Sequence, residues 1–325
     1  MFMERPYLYE IEPTNHCPYR CIMCPNGLGW MTRSKGFMEL RIFKRALTAL
    51  SPEQRLLRLH HFGEAVLHPE ITSMIQMVTD KGLVPLISLN PFTLNNDLIE
   101  MLADADPCIV CFSMDGFTAR AVKEIRGIKM PVEHGIEMIR RFCQVTRSKG
   151  CKTLKVLQTV MLDRNRTELE ARDKLASALG GSDFCIYDAP NTGFGFDSII
   201  RKHSASCHDP ALVSREDCQA PFNQVVVLWD GGVAICCYDY NGDTVIGNIS
   251  SETLETIWNG DKARQLRKLF LSGHARKNPR CRTCFKAPQR PVTQSEILSV
   301  KNTQAFEEER VILNMYERSF GKIVS

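Results

Sequence analysis

Along the first 188 residues the apolar side chains switch repeatedly between two spacings. They alternate over short runs, as in a strand with one buried face, and between those runs they recur every three or four residues, as on one face of a helix. The first spacing predicts strands at residues 7–13, 56–62, 83–89, 108–114, 154–162 and 183–187. The second predicts helical segments at 37–50, 69–81, 94–102, 117–125, 132–148 and 167–179, with Gly82 ending one of them. Six strand–helix units in a row argue for an α/β fold with a parallel sheet. A partial (β/α)6, TIM-like barrel is its economical closure, and an open doubly wound sheet is the rival.

Beyond residue 188 the character changes. Residues 191–196 form a Gly-rich polar and aromatic loop, and no period is evident up to 217. Two strand-like runs, 222–229 and 233–237, then flank Asp230-Gly231-Gly232 as a hairpin. Short helices are predicted at 251–258 and 262–271, and a longer one at 295–318 in the tail. The expected division is a barrel over 1–188, a second domain over 189–290 and a helical tail over 291–325.

Ligands of parallel barrels bind at the carboxyl ends of the strands. After the first strand comes Cys17-Pro18-Tyr19-Arg20-Cys21-Ile22-Met23-Cys24, three cysteines spaced C-x3-C-x2-C. Three thiolates on one tight loop can hold three corners of a [4Fe–4S] cube and leave one iron open to a small ligand. Zinc would ask for a fourth ligand, and the nearby His16, adjacent to Cys17, is poorly placed to be it. The second strand ends with His60 and His61, of which alternation turns one into the barrel as a core or hydrogen-bonded histidine, and Gly63-Glu64 follows it.

Composition narrows the class. The chain has 325 residues, 24 % charged and 44 % apolar, with a net charge of +4. No long basic run argues for nucleic acid, and no apolar stretch of membrane length or cationic leader is found, so a cytoplasmic protein is expected. Fourteen cysteines are many for such a chain. In a reducing compartment bunched cysteines point to metal rather than to disulfides. A second bunch, Cys218, Cys236, Cys281 and Cys284, supplies four ligands once the hairpin folds; Cys237 could replace Cys236, and by ligand count zinc and [4Fe–4S] both fit.

The first motif resembles the signature of the radical S-adenosylmethionine (SAM) enzymes. The second set, with Gly247-Asn248-Ile249 and Ile257-Trp258, resembles the auxiliary-cluster region of their SPASM/twitch branch, in the shorter form with one auxiliary cluster, because no cysteine follows Cys284. The resemblance covers residues 7 to about 285 and implies SAM and two [4Fe–4S] clusters. Gly63-Glu64 is similar to the Gly-Gly-Glu motif that meets the SAM ammonium, with Phe62 in place of the first glycine. Ser88, Asn90, Ser113, Asp115 and Arg126 are the further SAM contacts it implies.

Its spacing is most like that of the members that dehydrogenate aminocyclitols in antibiotic biosynthesis. The implied activity is abstraction of hydrogen by a 5′-deoxyadenosyl radical and oxidation of a secondary alcohol of an aminocyclitol, amino sugar or similar polar metabolite, with a flavodoxin or ferredoxin as electron donor. Epimerisation with Cys207 or Cys237 as hydrogen donor is the alternative. Peptide modification is another, although a first strand at Tyr7 leaves no room for a leader-gripping module, and a non-catalytic iron–sulfur or zinc protein is the last. Tyr187, Asp188, Asn191, Arg201 and His203 are candidate substrate contacts, with His203 or Asp188 as proton acceptor.

Overall fold

The computed structural model describes residues 5–48, 50–51, 53–189, 191–192, 197–203, 218–284, 286–298 and 304–321. Six strands, β1 (Tyr7–Ile11), β2 (Leu56–Arg58), β3 (Val84–Leu89), β4 (Ile109–Ser113), β5 (Leu154–Val160) and β6 (Phe184–Ala189), pair in parallel in sequence order. A doubly wound sheet reverses its strand order at a switch point. This one runs β6-β5-β4-β3-β2-β1 without reversal, as the wall of a partial barrel does.

The second spacing of the sequence becomes the outer helices. Val132–Ser148 matches its predicted bounds, whereas 37–50 and 69–81 shorten to Leu40–Leu47 and Ile71–Thr79. The helix Ala119–Arg126 is closed at both ends: the Thr118 hydroxyl accepts from the Ala121 N–H, and Gly127 takes φ +69°, a left-handed value that suits a residue without Cβ.

The parity of each strand decides what it buries. Leu57, Ile87, Val110 and Leu157 face the outer helices and join the main core. The intervening residues face inward, and toward the carboxyl ends they turn polar: Arg58, Ser88, Ser113 and Gln158 all line the interior cavity.

The hairpin predicted for the second domain does form, from β7 (Gln224–Val227) and β8 (Gly232–Ala234), and β9 (Val245–Asn248) extends it antiparallel. Its strands are shorter than expected because a helical turn, Ala220–Asn223, takes the start of the first run and the chain leaves the sheet after Ala234. Unlike a detached module, β7 pairs in parallel with β1 and carries the sheet to nine strands. In the tail, helices run over Gln294–Leu298 and Gln304–Phe320, and residues 299–303 lie outside the described residues. No helix among the described residues is long and apolar enough to cross a membrane.

Candidate active site

Glu12, fully buried just past β1, is gripped by Arg33 at 2.5 Å and by the Trp229 N–H at 3.2 Å, which fixes where the chain leaves the sheet. The cysteine loop that follows is held by amide clamps. Asn26 Nδ2 donates to the Phe62 carbonyl at 2.6 Å and to the Asn15 carbonyl at 3.1 Å, while the Arg20 and Ile22 N–H groups donate to the Arg126 and Ile125 carbonyls. The loop is so tight that a Cβ on Gly27 would sit 2.4 Å from the Cys21 nitrogen.

Cys17, Cys21 and Cys24 all line a cavity of about 660 Å3. Burial pushes the Cys17 and Cys21 thiols up to about 12 and raises Cys24 as well; the Arg126 guanidinium opposes all three shifts. Arg126 donates from Nη1 to Cys21 Sγ at 3.8 Å. Buried thiols with raised pKa values become ligands only beside a strong cation, as iron would be.

The residues expected to meet SAM divide. Gly63 is packed against the backbone of the segment after β1, where a Cβ would fall 1.9 Å from the Thr14 oxygen, and the Glu64 N–H donates to the His16 carbonyl at 2.8 Å. That packing aims Glu64 into the cavity. Its carboxylate accepts from the Asn90 N–H at 3.1 and 3.3 Å, and burial pushes it up to about 8. Ser88 and Ser113 share a 2.9 Å hydrogen bond on the cavity wall. Asn90 Nδ2 is buried without a hydrogen-bond partner among the described residues, a donor that an ordered ligand would satisfy.

Asp115 points elsewhere. Its carboxylate does not line the cavity; it turns to the end of β5, accepts from the Val160 N–H at 2.7 Å and pairs with Arg126 Nη2 at 2.6 Å. Arg126 is the group presented to the cavity, and Asp115 holds it there.

The second set, Cys218, Cys236, Cys281 and Cys284, lines the same cavity. The Cys236 sulfur accepts from the Tyr238 N–H at 3.3 Å. Burial raises the Cys236 thiol far above its ordinary value and Cys281 to about 12, with Arg280 as the opposing cation. Each cysteine set thus has one arginine against it, Arg126 for the first and Arg280 for the second. The turn after Cys237 is built on the fully buried Asp239, which accepts from the Gly242, Asp243 and Thr244 N–H groups. Among the described residues no three Cys, His, Asp or Glu side chains meet at one point, so neither set is preassembled around a single ion.

Cys237 also lines the cavity, its thiol raised by burial and by the Glu10 charge. The two expected proton acceptors do not. Asp188 alternates to the far face of β6, where it is half exposed and ion-paired with Arg172. His203, at the end of the helix Asp197–His203, is buried against the Ile22 backbone outside the cavity. Tyr187 and Asn191 do face inward; Cys207 and the Arg201 side chain lie outside the described residues.

Alternation turns one histidine of the pair inward; the structure puts both at the cavity, together with an acid that sequence reading did not single out. Glu10 and both histidines line it. His61 Nδ1 lies 2.8 Å from Glu10 and Nε2 lies 3.3 Å from the Asp239 carbonyl; two acceptors around one ring favour the imidazolium, and Glu10 lifts His61 against the opposing effect of burial. Burial, with Arg58 and His61 adding to it, drives His60 down to about 4, so His60 is neutral at pH 7. The available signal was Glu10, an acid inside an otherwise apolar strand.

The family model of the radical SAM superfamily matches residues 11–176. The chain belongs to the radical SAM superfamily. The iron–sulfur cluster-binding SPASM domain matches residues 218–285 of the same radical SAM chain. Among curated proteins it is similar to the S-adenosyl-L-methionine-dependent 2-deoxy-scyllo-inosamine dehydrogenase of Niallia circulans, 24 % identical over 85 % of this chain and 92 % of that one. A cofactor-modifying protein for the tungsten-containing aldehyde ferredoxin oxidoreductase of Pyrococcus furiosus is 23 % identical over 79 % and 81 %. Among solved structures, BtrN in complex with AdoMet and 2-DOIA aligns with a TM-score of 0.52 at 19 % identity, covering 90 % of this chain and 97 % of that chain. Streptococcus suis SuiB bound to its precursor peptide SuiA aligns with 0.62 at 14 % identity, covering 94 % and 75 %. This radical SAM enzyme therefore uses SAM and a [4Fe–4S] cluster in its barrel and an auxiliary iron–sulfur site in its SPASM region.

Proposed function

We propose that the enzyme oxidises a secondary alcohol of a small amino-bearing ring, an aminocyclitol or amino sugar, to a ketone. The observation that carries this reading is that both cysteine sets open onto one cavity, which Glu10, His60 and His61 also line. A relative named as a dehydrogenase of an aminocyclitol supports the substrate class.

Converting CH–OH to C=O removes one hydrogen atom, one proton and one electron. When bound, SAM with its cluster supplies the radical that takes the hydrogen atom, and the auxiliary cluster takes the electron. The chain's own residues do the remainder. Cys17, Cys21 and Cys24 would hold the first cluster, and Cys218, Cys236, Cys281 and Cys284 the second. Glu64 and Asn90 orient the SAM ammonium and carboxylate. The proton passes to the Glu10–His60–His61 group, where a neutral His60 stands beside a carboxylate. The reducing electron comes from a flavodoxin or ferredoxin.

A second reading rests on Cys237, whose thiol lines the cavity and could return hydrogen to the opposite face of a carbon, making the enzyme an epimerase. One anaerobic incubation with SAM, reductant and a panel of aminocyclitols and amino sugars separates the two. Ketone formation gives 5′-deoxyadenosine and a product two hydrogens lighter in equal amounts. A product of unchanged mass carrying solvent deuterium on carbon would replace oxidation by epimerisation.

A further inference from the structure

The C-terminal helix Gln304–Phe320 lies beyond the SPASM match, which ends at residue 285, yet it enters the barrel. Ile312, Leu313 and Tyr316 pack against inward-facing residues near the amino ends of the strands, Leu56, Val84 and Ile109 among them. Glu317 pairs with Arg55 at 2.8 Å, the Ser319 hydroxyl donates to the Ser182 carbonyl, and Tyr316 bonds Cys108. Arg55, Cys108 and Ser182 stand just before β2, β4 and β6, so the later half of the helix is tied at the amino-terminal mouth of the barrel.

From Ser319 back to Ile312 a helix spans about 10 Å, the rise of roughly three strand residues. That is the step from Cys108 to Cys111, and Cys111 lines the cavity together with Val311 and Ile312. Val311 is 43 % exposed and Ile312 only 4 %. The helix therefore carries Val311 and Ile312, midway along it, onto the cavity wall on the side of the strands' amino ends.

We infer that Val311 and Ile312 form the floor of the substrate cavity and set the size of ring system the enzyme accepts. This rests on the reading that the cavity takes a small ring alcohol. An apolar floor has no hydroxyl-matching group, so it discriminates by volume; filling or emptying it changes substrate binding without touching the groups that move hydrogen, proton or electron.

The test compares wild type, Val311→Trp and Ile312→Ala on a one-ring aminocyclitol and on the same ring bearing a second sugar. Val311→Trp should raise KM for the single ring about tenfold with kcat little changed, and Ile312→Ala should shift the two-ring to one-ring ratio of kcat/KM about tenfold toward the larger substrate. Iron content and melting temperature identify a variant that fails to fold, in which case the other variant decides. If both folded variants keep the wild-type KM and size ratio, the floor assignment falls and the alcohol oxidation stands. If wild type oxidises neither ring, the oxidation reading fails in the wild-type assay itself, and the floor assignment goes with it.

Discussion

Arg126 Nη2 lies 2.6 Å from Asp115 Oδ2, and the Asp115 side chain is fully buried. The pair makes an acid that the family resemblance assigned to SAM a bracket for the guanidinium that donates to Cys21. Removing one member of a buried ion pair strands the other. Asp115→Ala should therefore cost about 3–5 kcal/mol of stability, more than Asp115→Asn, as read by denaturant unfolding of the iron-free protein.

The burial of Glu64 should make folding pH-dependent. Its folded carboxyl is pushed up to about 8, whereas the unfolded chain releases that proton near the ordinary glutamate value. Between those two values the folded state binds more protons than the unfolded state, so this contribution to stability is present in acid, declines as pH rises, and levels off above about 8. The iron-free wild type should show that decline in melting temperature, and Glu64→Gln should flatten it while weakening SAM binding at least about tenfold through the lost charge.

Gly63 allows the close contact between the barrel's second loop and the segment that follows β1. A methyl group there would meet the Thr14 carbonyl, and backbone cannot step aside as a side chain can. Gly63→Ala should destabilise by about 1–3 kcal/mol or more and lower the iron held by the first site, measured as iron and sulfide per chain.

The two cysteine sets are separable by composition. Anaerobically reconstituted wild type should hold about eight irons, and the Cys17/Cys21/Cys24→Ala variant about four. EPR of the variant should retain the signal of the auxiliary site. A variant that binds zinc and no iron would remove the electron acceptor from the proposed oxidation.

Glu10→Gln tests the proton acceptor. Its kcat should fall on the order of 10²-fold, while deuterium from a labelled substrate carbon still appears in 5′-deoxyadenosine. Equal losses in deuterium transfer and ketone formation would place Glu10 in substrate binding instead.

Much of this molecule is local enough to be written in the chain. The two hydrophobic periods specify which segments are strands and which are helices, because each backbone geometry repeats its faces at its own interval. The thiol spacings specify metal chemistry, because a short loop can only bring together the ligands it carries. Tertiary structure decided matters of parity and long-range pairing. Tyr187 and Asp188 are adjacent, and only the register of β6, with Tyr187 opposite Gln158 and Asp188 opposite Thr159, puts the first inside and the second outside. The pairing of β7 with β1 makes the second cysteine set a neighbour of the first; it joins residues more than 200 positions apart through main-chain hydrogen bonds that no side-chain pattern announces. A tail helix is predicted from sequence, but what it covers was decided only by the tertiary structure, where the inward faces of the strands leave an apolar interior that Ile312, Leu313 and Tyr316 fill.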